Sequence, residues 1–125
     1  MRHQESNLQS ACVQWFRLQY PQHTIFAIPN GGNRSAATGA MIKREGVLAG
    51  VADLFVMFPS GGYHGLFIEM KTPTGKVQES QKVFAEQAFR NRYLYMVIRS
   101  VDDFMAVVKA YLELDLQDVK LKHNP

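Results

Sequence analysis

Three side chains stand out for their chemistry: Asp53, Glu69 and Lys71. They fall in a stretch that reads Gly50-Val51-Ala52-Asp53-Leu54-Phe55-Val56-Met57, a Pro-Ser-Gly-Gly turn from Pro59 to Gly62, and then Gly65-Leu66-Phe67-Ile68-Glu69-Met70-Lys71. Two short apolar, β-prone runs split by a glycine-rich turn predict a β-hairpin. Side chains alternate across a strand, so Phe67, Glu69 and Lys71 share one face. Asp53 opens the first run, where an antiparallel partner brings its carboxylate beside Glu69. Two carboxylates and an ammonium at one end of a hairpin are the parts needed to hold a hard divalent cation on oxygen ligands and to set a positive charge beside a water or phosphate. Glu-x-Lys at a strand end is also common as a solvated charge pair. Here the acid interrupts Leu-Phe-Ile, a run of buried composition, and a buried carboxylate needs a metal or a cation partner.

The remaining elements are those that must position this hairpin. Glu5 to Tyr20 has the spacing of an amphipathic helix, with Leu8, Cys12, Trp15 and Phe16 on its inner stripe and Glu5 one turn before them. Glu5 is then either an acid that favours the helix start, beside a Ser6/Gln9 capping box, or a member of the site. Pro21 ends the helix, and His23 to Ile28 reads as the first strand. The loop Pro29-Asn30-Gly31-Gly32-Asn33-Arg34 has glycines that let backbone N–H groups approach an anion, or that simply serve positive φ, and Arg34 has the fork geometry for a phosphate. Ser35 reads as an N-cap for a helix over Ala36 to Glu45, which carries Lys43 and Arg44 and stops at Gly46.

Beyond Lys71, Thr72-Pro73-Thr74-Gly75-Lys76 is a loop, and a helix runs from about Val77 to Asn91 with Val77, Gln81, Phe84 and Ala88 on one face. Gln81 is a polar intruder there, bonded to its own neighbours or reaching the adjoining site. Tyr93 to Ile98 is a last strand with the continuous apolar pattern of a sheet covered on both sides. Ser100 and Asp103 open a final helix with Phe104, Val107, Val108, Tyr111 and Leu112 as its stripe. The tail, 113–125, alternates weakly and reads as an extra strand, a dimer arm or a frayed end. The order αβαββαβα predicts a mixed α/β domain, a central four-stranded sheet flanked by helices, with a core over about 3–112 in a single domain spanning 1–125.

A chain of 125 residues, 46% apolar and 20% charged, has the composition of one soluble globular domain able to bury its own core. Its net charge of +3 and pI of about 9.1 suit a polyanionic partner without demanding one. The single cysteine, Cys12, sits among apolar neighbours and reads as a buried thiol in a reducing compartment. No run is long enough to span a membrane and the start lacks the apolar core of a signal peptide, so a cytoplasmic protein with no membrane partner is expected. The four histidines are scattered with no metal-ligand spacing, so other nuclease chemistries fit poorly, and with no P-loop present nucleotide hydrolysis is not supported.

Taken together, Glu5, Asn30-Gly31-Gly32, Gly50-Val51-Ala52-Asp53-Leu54, Glu69-Met70-Lys71 and Gln81 followed by Phe84 resemble the VRR-Nuc domain, in its stand-alone phage and bacterial type, a branch of the PD-(D/E)XK nuclease superfamily. The likeness runs to about Leu112; it departs from the family's proline-before-aspartate form in having Ala52 before Asp53. The resemblance implies a restriction-endonuclease-like core and a Mg2+- or Mn2+-dependent endodeoxyribonuclease. It also implies metal-binding carboxylates at Asp53 and Glu69, the Met70 carbonyl as a further ligand, Lys71 as the group that orients the attacking water, and supporting roles for Glu5 and Gln81. The expected substrate is branched DNA such as a four-way (Holliday) junction, cut by a homodimer in a bacterial cell or phage-infected host. Asn30, Arg34, Lys43, Arg44 and Lys76 are the expected DNA contacts. The alternative is a non-catalytic DNA-binding or assembly protein that keeps the fold.

Overall fold

The computed structural model describes residues 2–29 and 36–114. Its elements run α1 (Arg2–Gln19), β1 (Ile25–Ala27), α2 (Ala36–Arg44), β2 (Leu54–Val56), β3 (Gly65–Met70), α3 (Glu79–Arg90), β4 (Tyr93–Ile98) and α4 (Val101–Leu112). The four strands form one sheet in the order β1-β2-β3-β4, antiparallel at the first two junctions and parallel at the third. Antiparallel neighbours need only a turn, whereas the parallel β3–β4 pair needs a crossover, and α3 supplies it.

The period-2 pattern sorts the strands between two helical layers. Leu54, Val56, Leu66, Ile68, Met70, Leu94, Met96 and Ile98 face α1 and α4, where Cys12, Phe16, Phe104, Val108 and Tyr111 close the main core. Each such side chain, fully buried, contributes about 1.5–3 kcal/mol relative to exposure. On the opposite face Ala52, Ala85 and Tyr95 form a smaller core under α3, with Phe67, Phe84 and Val97 packed on it. Glu69 and Lys71 belong to this second face by strand alternation, and both are buried.

The hairpin forms as its sequence predicts. Leu54 lies opposite Ile68 and Val56 opposite Leu66. At its far end Ser60 and Tyr63 exchange backbone bonds across Gly61 (φ 59°) and Gly62 (φ 88°), the paired positive φ values that suit a tight turn to the twist of the strands. Ser60 Oγ donates to the Tyr111 carbonyl at 2.5 Å, which ties that turn to α4. At the near end Gly50 (φ 94°) passes so close to α3 that a Cβ there would lie 2.2 Å from the Ser80 carbonyl oxygen, so only glycine lets this segment lead into Asp53.

Several boundaries differ from expectation for local reasons. Helix α1 begins at Arg2, a turn before Glu5, so Ser6 and Gln9 lie inside it and form no capping box. Strand β1 is confined to the three residues that pair with β2, and α3 starts at Glu79 because Gln78 is its N-cap in extended conformation. The predicted cap of α4 is present, the Asp103 N–H donating to Ser100 Oγ at 3.1 Å. Asn30 to Ser35, with the predicted anion loop and N-cap, and the tail from Asp115 onward lie outside the described residues.

Candidate active site

Asp53 stands where three strands converge. Its N–H donates to the Ile68 carbonyl at 3.0 Å and its carbonyl accepts from the Ile28 N–H at 2.8 Å, which holds its backbone between β1 and β3. Its Oδ2 accepts the Met70 N–H at 2.7 Å. A side chain thereby satisfies the last inward N–H of β3, and the carboxylate is aimed across the hairpin toward Glu69.

Glu69 is only 4% exposed, and its carboxylate is held from three sides. Gln81 Nε2 donates to Oε2 at 2.8 Å, Lys71 Nζ lies 3.9 Å from the same oxygen, and the Tyr95 hydroxyl donates to Oε1 at 3.5 Å. Gln81 has both predicted roles at once: its Oε1 accepts the Gln78 N–H at 2.8 Å in the first turn of α3, which leaves its amide nitrogen free to face Glu69. Lys71 is 8% exposed, and its N–H donates to the Ile98 carbonyl at 2.9 Å, continuing the β3–β4 pairing past the strand end.

Taking these acids out of water shapes their ionisation. Burial pushes the Glu69 carboxyl up to about 8, the Asp53 charge adds to the rise, and Lys71 offsets part of it. Asp53 is also raised, first by burial, with the Met70 N–H acting against this and the charge of Glu5 adding to it. The two carboxyls interact directly, so they titrate as a pair rather than as two independent acids. Glu5 acts on both acids through its charge, and with Ser6, Gln9, Ser10, Asp53 and Met70 it lines a cleft of about 290 Å³ at the sheet end. Glu5 is thus in the first turn of α1 and at the site as well.

This donor set suits a hard divalent cation. Among the described residues no group of three or more His, Cys, Asp or Glu side chains forms a ready cage for a metal. Two carboxylates, the Met70 carbonyl and open cleft for water form the sparse oxygen environment that Mg2+ or Mn2+ accepts, and the mutual repulsion of the acids is what such an ion relieves.

Two contributors escaped the sequence reading. Tyr95 looked like one more apolar strand residue, although a hydroxyl inside a doubly covered strand must find a partner. Arg99 follows β4, and its Nη1 donates to the carbonyls of Thr72 at 2.8 Å and Gly75 at 2.7 Å, clamping the loop that leaves Lys71. Of the expected DNA contacts, Lys76 is exposed in the loop before α3, and Lys43 and Arg44 are exposed in the last turn of α2. Asn30 and Arg34 lie outside the described residues.

Comparison with known proteins agrees with this fold. A solved structure described as a VRR_NUC domain protein superposes with a TM-score of 0.77 and 27% sequence identity, covering 89% of each chain. The comparison with curated proteins found no match. The family model for the VRR-NUC domain matches residues 2–102, which contain every element from α1 to β4, and the α/β architecture is that of the PD-(D/E)XK nuclease class. By that match and that superposition, the chain belongs to the VRR-NUC domain family.

Proposed function

We propose that this protein is a Mg2+- or Mn2+-dependent endodeoxyribonuclease whose reaction centre is Glu5, Asp53, Glu69, Lys71 and Gln81. Membership of the family implies a nuclease-like, DNA-binding domain. The observation that carries the finer reading is the pairing of two carboxylates, the half-buried Asp53 and the buried Glu69, with a buried lysine 3.9 Å from Glu69. Paired acids of this kind are costly in a protein that uses them only as scaffold.

When bound, a divalent cation neutralises the non-bridging oxygens of the phosphodiester and acidifies a water for attack. Asp53, Glu69 and the Met70 carbonyl would hold it. The protein does the rest. The Met70 N–H fixes the Asp53 carboxylate, and Gln81 fixes that of Glu69. The Lys71 ammonium, brought to the site by the same strand, orients the nucleophile and offsets the negative charge that grows on the phosphorus oxygens. Glu5 would add a third acid lining the same cleft as Asp53 and Met70.

For substrate we propose branched DNA, with four-way junctions first, cut by a homodimer whose two-fold axis presents one site to each opposing strand. Phosphates would be held by Lys43, Arg44 and Lys76, together with Asn30 and Arg34. No helix among the described residues is long and apolar enough to cross a membrane, in keeping with action on DNA in the cytoplasm. Incubation of labelled four-way junction, flap and duplex DNA with Mg2+, Mn2+ or EDTA tests the reaction and the substrate together. Cleavage that needs metal and prefers the junction supports the reading; binding without cleavage in either metal identifies a non-catalytic DNA-binding protein instead. Sedimentation at assay concentration tests the dimer.

A further inference from the structure

We propose that Tyr95 is a positioning residue that sets the plane of the Glu69 carboxylate, a role that rests on the metal-dependent reading above. Strand β4 lies parallel to β3, with Tyr95 opposite Phe67 and Val97 opposite Glu69. The Tyr95 ring therefore runs along the sheet, beneath α3, and delivers its hydroxyl to the acid one pair further on.

Packing alone does not account for that hydroxyl. Tyr95 is 0% exposed, and its ring lies against Phe84 at a centroid distance of 6.0 Å in an otherwise apolar pocket with Ala52 and Ala85. A phenylalanine fills the same space without the cost of taking a hydroxyl out of water. What the oxygen reaches is Glu69 Oε1, while Gln81 and Lys71 both lie on Oε2. Rotation of a carboxylate about its last bond meets only a broad, shallow barrier, so a donor on one oxygen alone leaves the other free to swing. Donors on both oxygens fix the plane and thus the direction in which the remaining lone pairs point. The Tyr95 hydroxyl supplies the donor on Oε1 at 3.5 Å, opposite the Gln81 donor on Oε2 at 2.8 Å.

The test compares wild type, Tyr95→Phe and Phe84→Leu by Mn2+ titration calorimetry, thermal melting and steady-state cleavage of the best DNA substrate. Partners that orient a metal ligand typically affect affinity or activity by about 10–100-fold. Tyr95→Phe is expected to weaken Mn2+ binding and lower kcat by about 10-fold while leaving KM for DNA and the melting temperature near wild type. Phe84→Leu, which loosens the same ring without removing its hydroxyl, is expected to lower the melting temperature and leave Mn2+ affinity in place. Unchanged Mn2+ affinity and kcat in Tyr95→Phe overturn the positioning role. So does an equal loss of Mn2+ affinity in Phe84→Leu, because packing then suffices. If wild type neither binds Mn2+ nor cleaves DNA, the metal-dependent reading itself fails and this role falls with it.

Discussion

The Met70 N–H donates to Asp53 Oδ2 at 2.7 Å, so an acid of the site closes the last inward rung of the β2–β3 ladder. One carboxylate thus closes the strand pairing and, on the proposed reading, takes part in the chemistry, and substitutions can separate the two. Asp53→Asn keeps an acceptor for the Met70 N–H and should melt close to wild type, yet lose DNA cleavage by about 10³-fold or more. Asp53→Ala should lose the same activity and in addition about 1–3 kcal/mol of stability, the cost of leaving a buried N–H unpaired. Urea unfolding beside single-turnover cleavage separates these outcomes, and wild-type cleavage in Asp53→Asn would remove Asp53 from the site.

The raised Glu69 carboxyl makes stability depend on pH. The Glu69 carboxyl titrates near 8 in the fold against 4.5 in the unfolded chain, so between those values the native state binds more protons than the unfolded one. Stability therefore falls as pH rises from about 4.5 to about 8, by at most about 1.4 kcal/mol per unit. Asp53, also raised by burial, acts in the same direction. Melting of the metal-free protein at pH 5.5 should thus exceed that at pH 8.5, and both Glu69→Gln and added Mg2+ should flatten the difference. A melting temperature that climbs over this range would show that Glu69 is ionised in the fold.

Lys71 is buried beside the acid whose charge it offsets. Lys71→Met keeps the aliphatic stem and removes the cation, so the fold should persist, while kcat should drop by about 10²–10³-fold, the usual loss for one electrostatic contact to a developing charge. The same variant should shift the Glu69 titration further upward, which infrared or NMR titration of the carboxyl reads directly. Unchanged kcat would reduce Lys71 to a scaffold residue.

Arg99 gathers the backbone that leaves Lys71, through the carbonyls of Thr72 and Gly75. Replacing it with alanine strips a charged donor from two carbonyls, and about 1.5–3 kcal/mol is typical for such bonds. Protection of the Thr72–Gly75 segment against hydrogen exchange should fall most, with a smaller loss of global stability. Exchange rates that match wild type there would mean the loop holds its shape unaided.

Most of the architecture was legible because the hairpin and β4 are written as short, β-prone apolar runs bounded by turn residues, which tertiary context did not override. The spacing of Asp53, Glu69 and Lys71 was enough to place all three at one sheet end, since antiparallel register follows from Leu54 meeting Ile68. Helix ends were read less well. Nothing local at Glu5 revealed that α1 already runs from Arg2, because capping residues and interior residues have overlapping compositions. Tyr95 and Arg99 were missed for another reason: each acts through a partner 26 or 24 to 27 residues away, a separation that no helical or strand period carries. The Glu69–Gln81 bond was foreseen only as one of two options, and it formed together with the other because an amide offers a donor and an acceptor.

The alternation along β3 has a consequence for how this lineage can drift. Ile68 and Met70 look into the main core while Phe67, Glu69 and Lys71 look away from it, so inserting or deleting one residue before Glu69 would exchange the two sets. Greasy side chains would then crowd the cleft and charges would enter the interior. Ancestry can rewrite individual letters in this strand, but its reading frame in space is locked, and an organism that loses the frame loses foldability and chemistry in a single event.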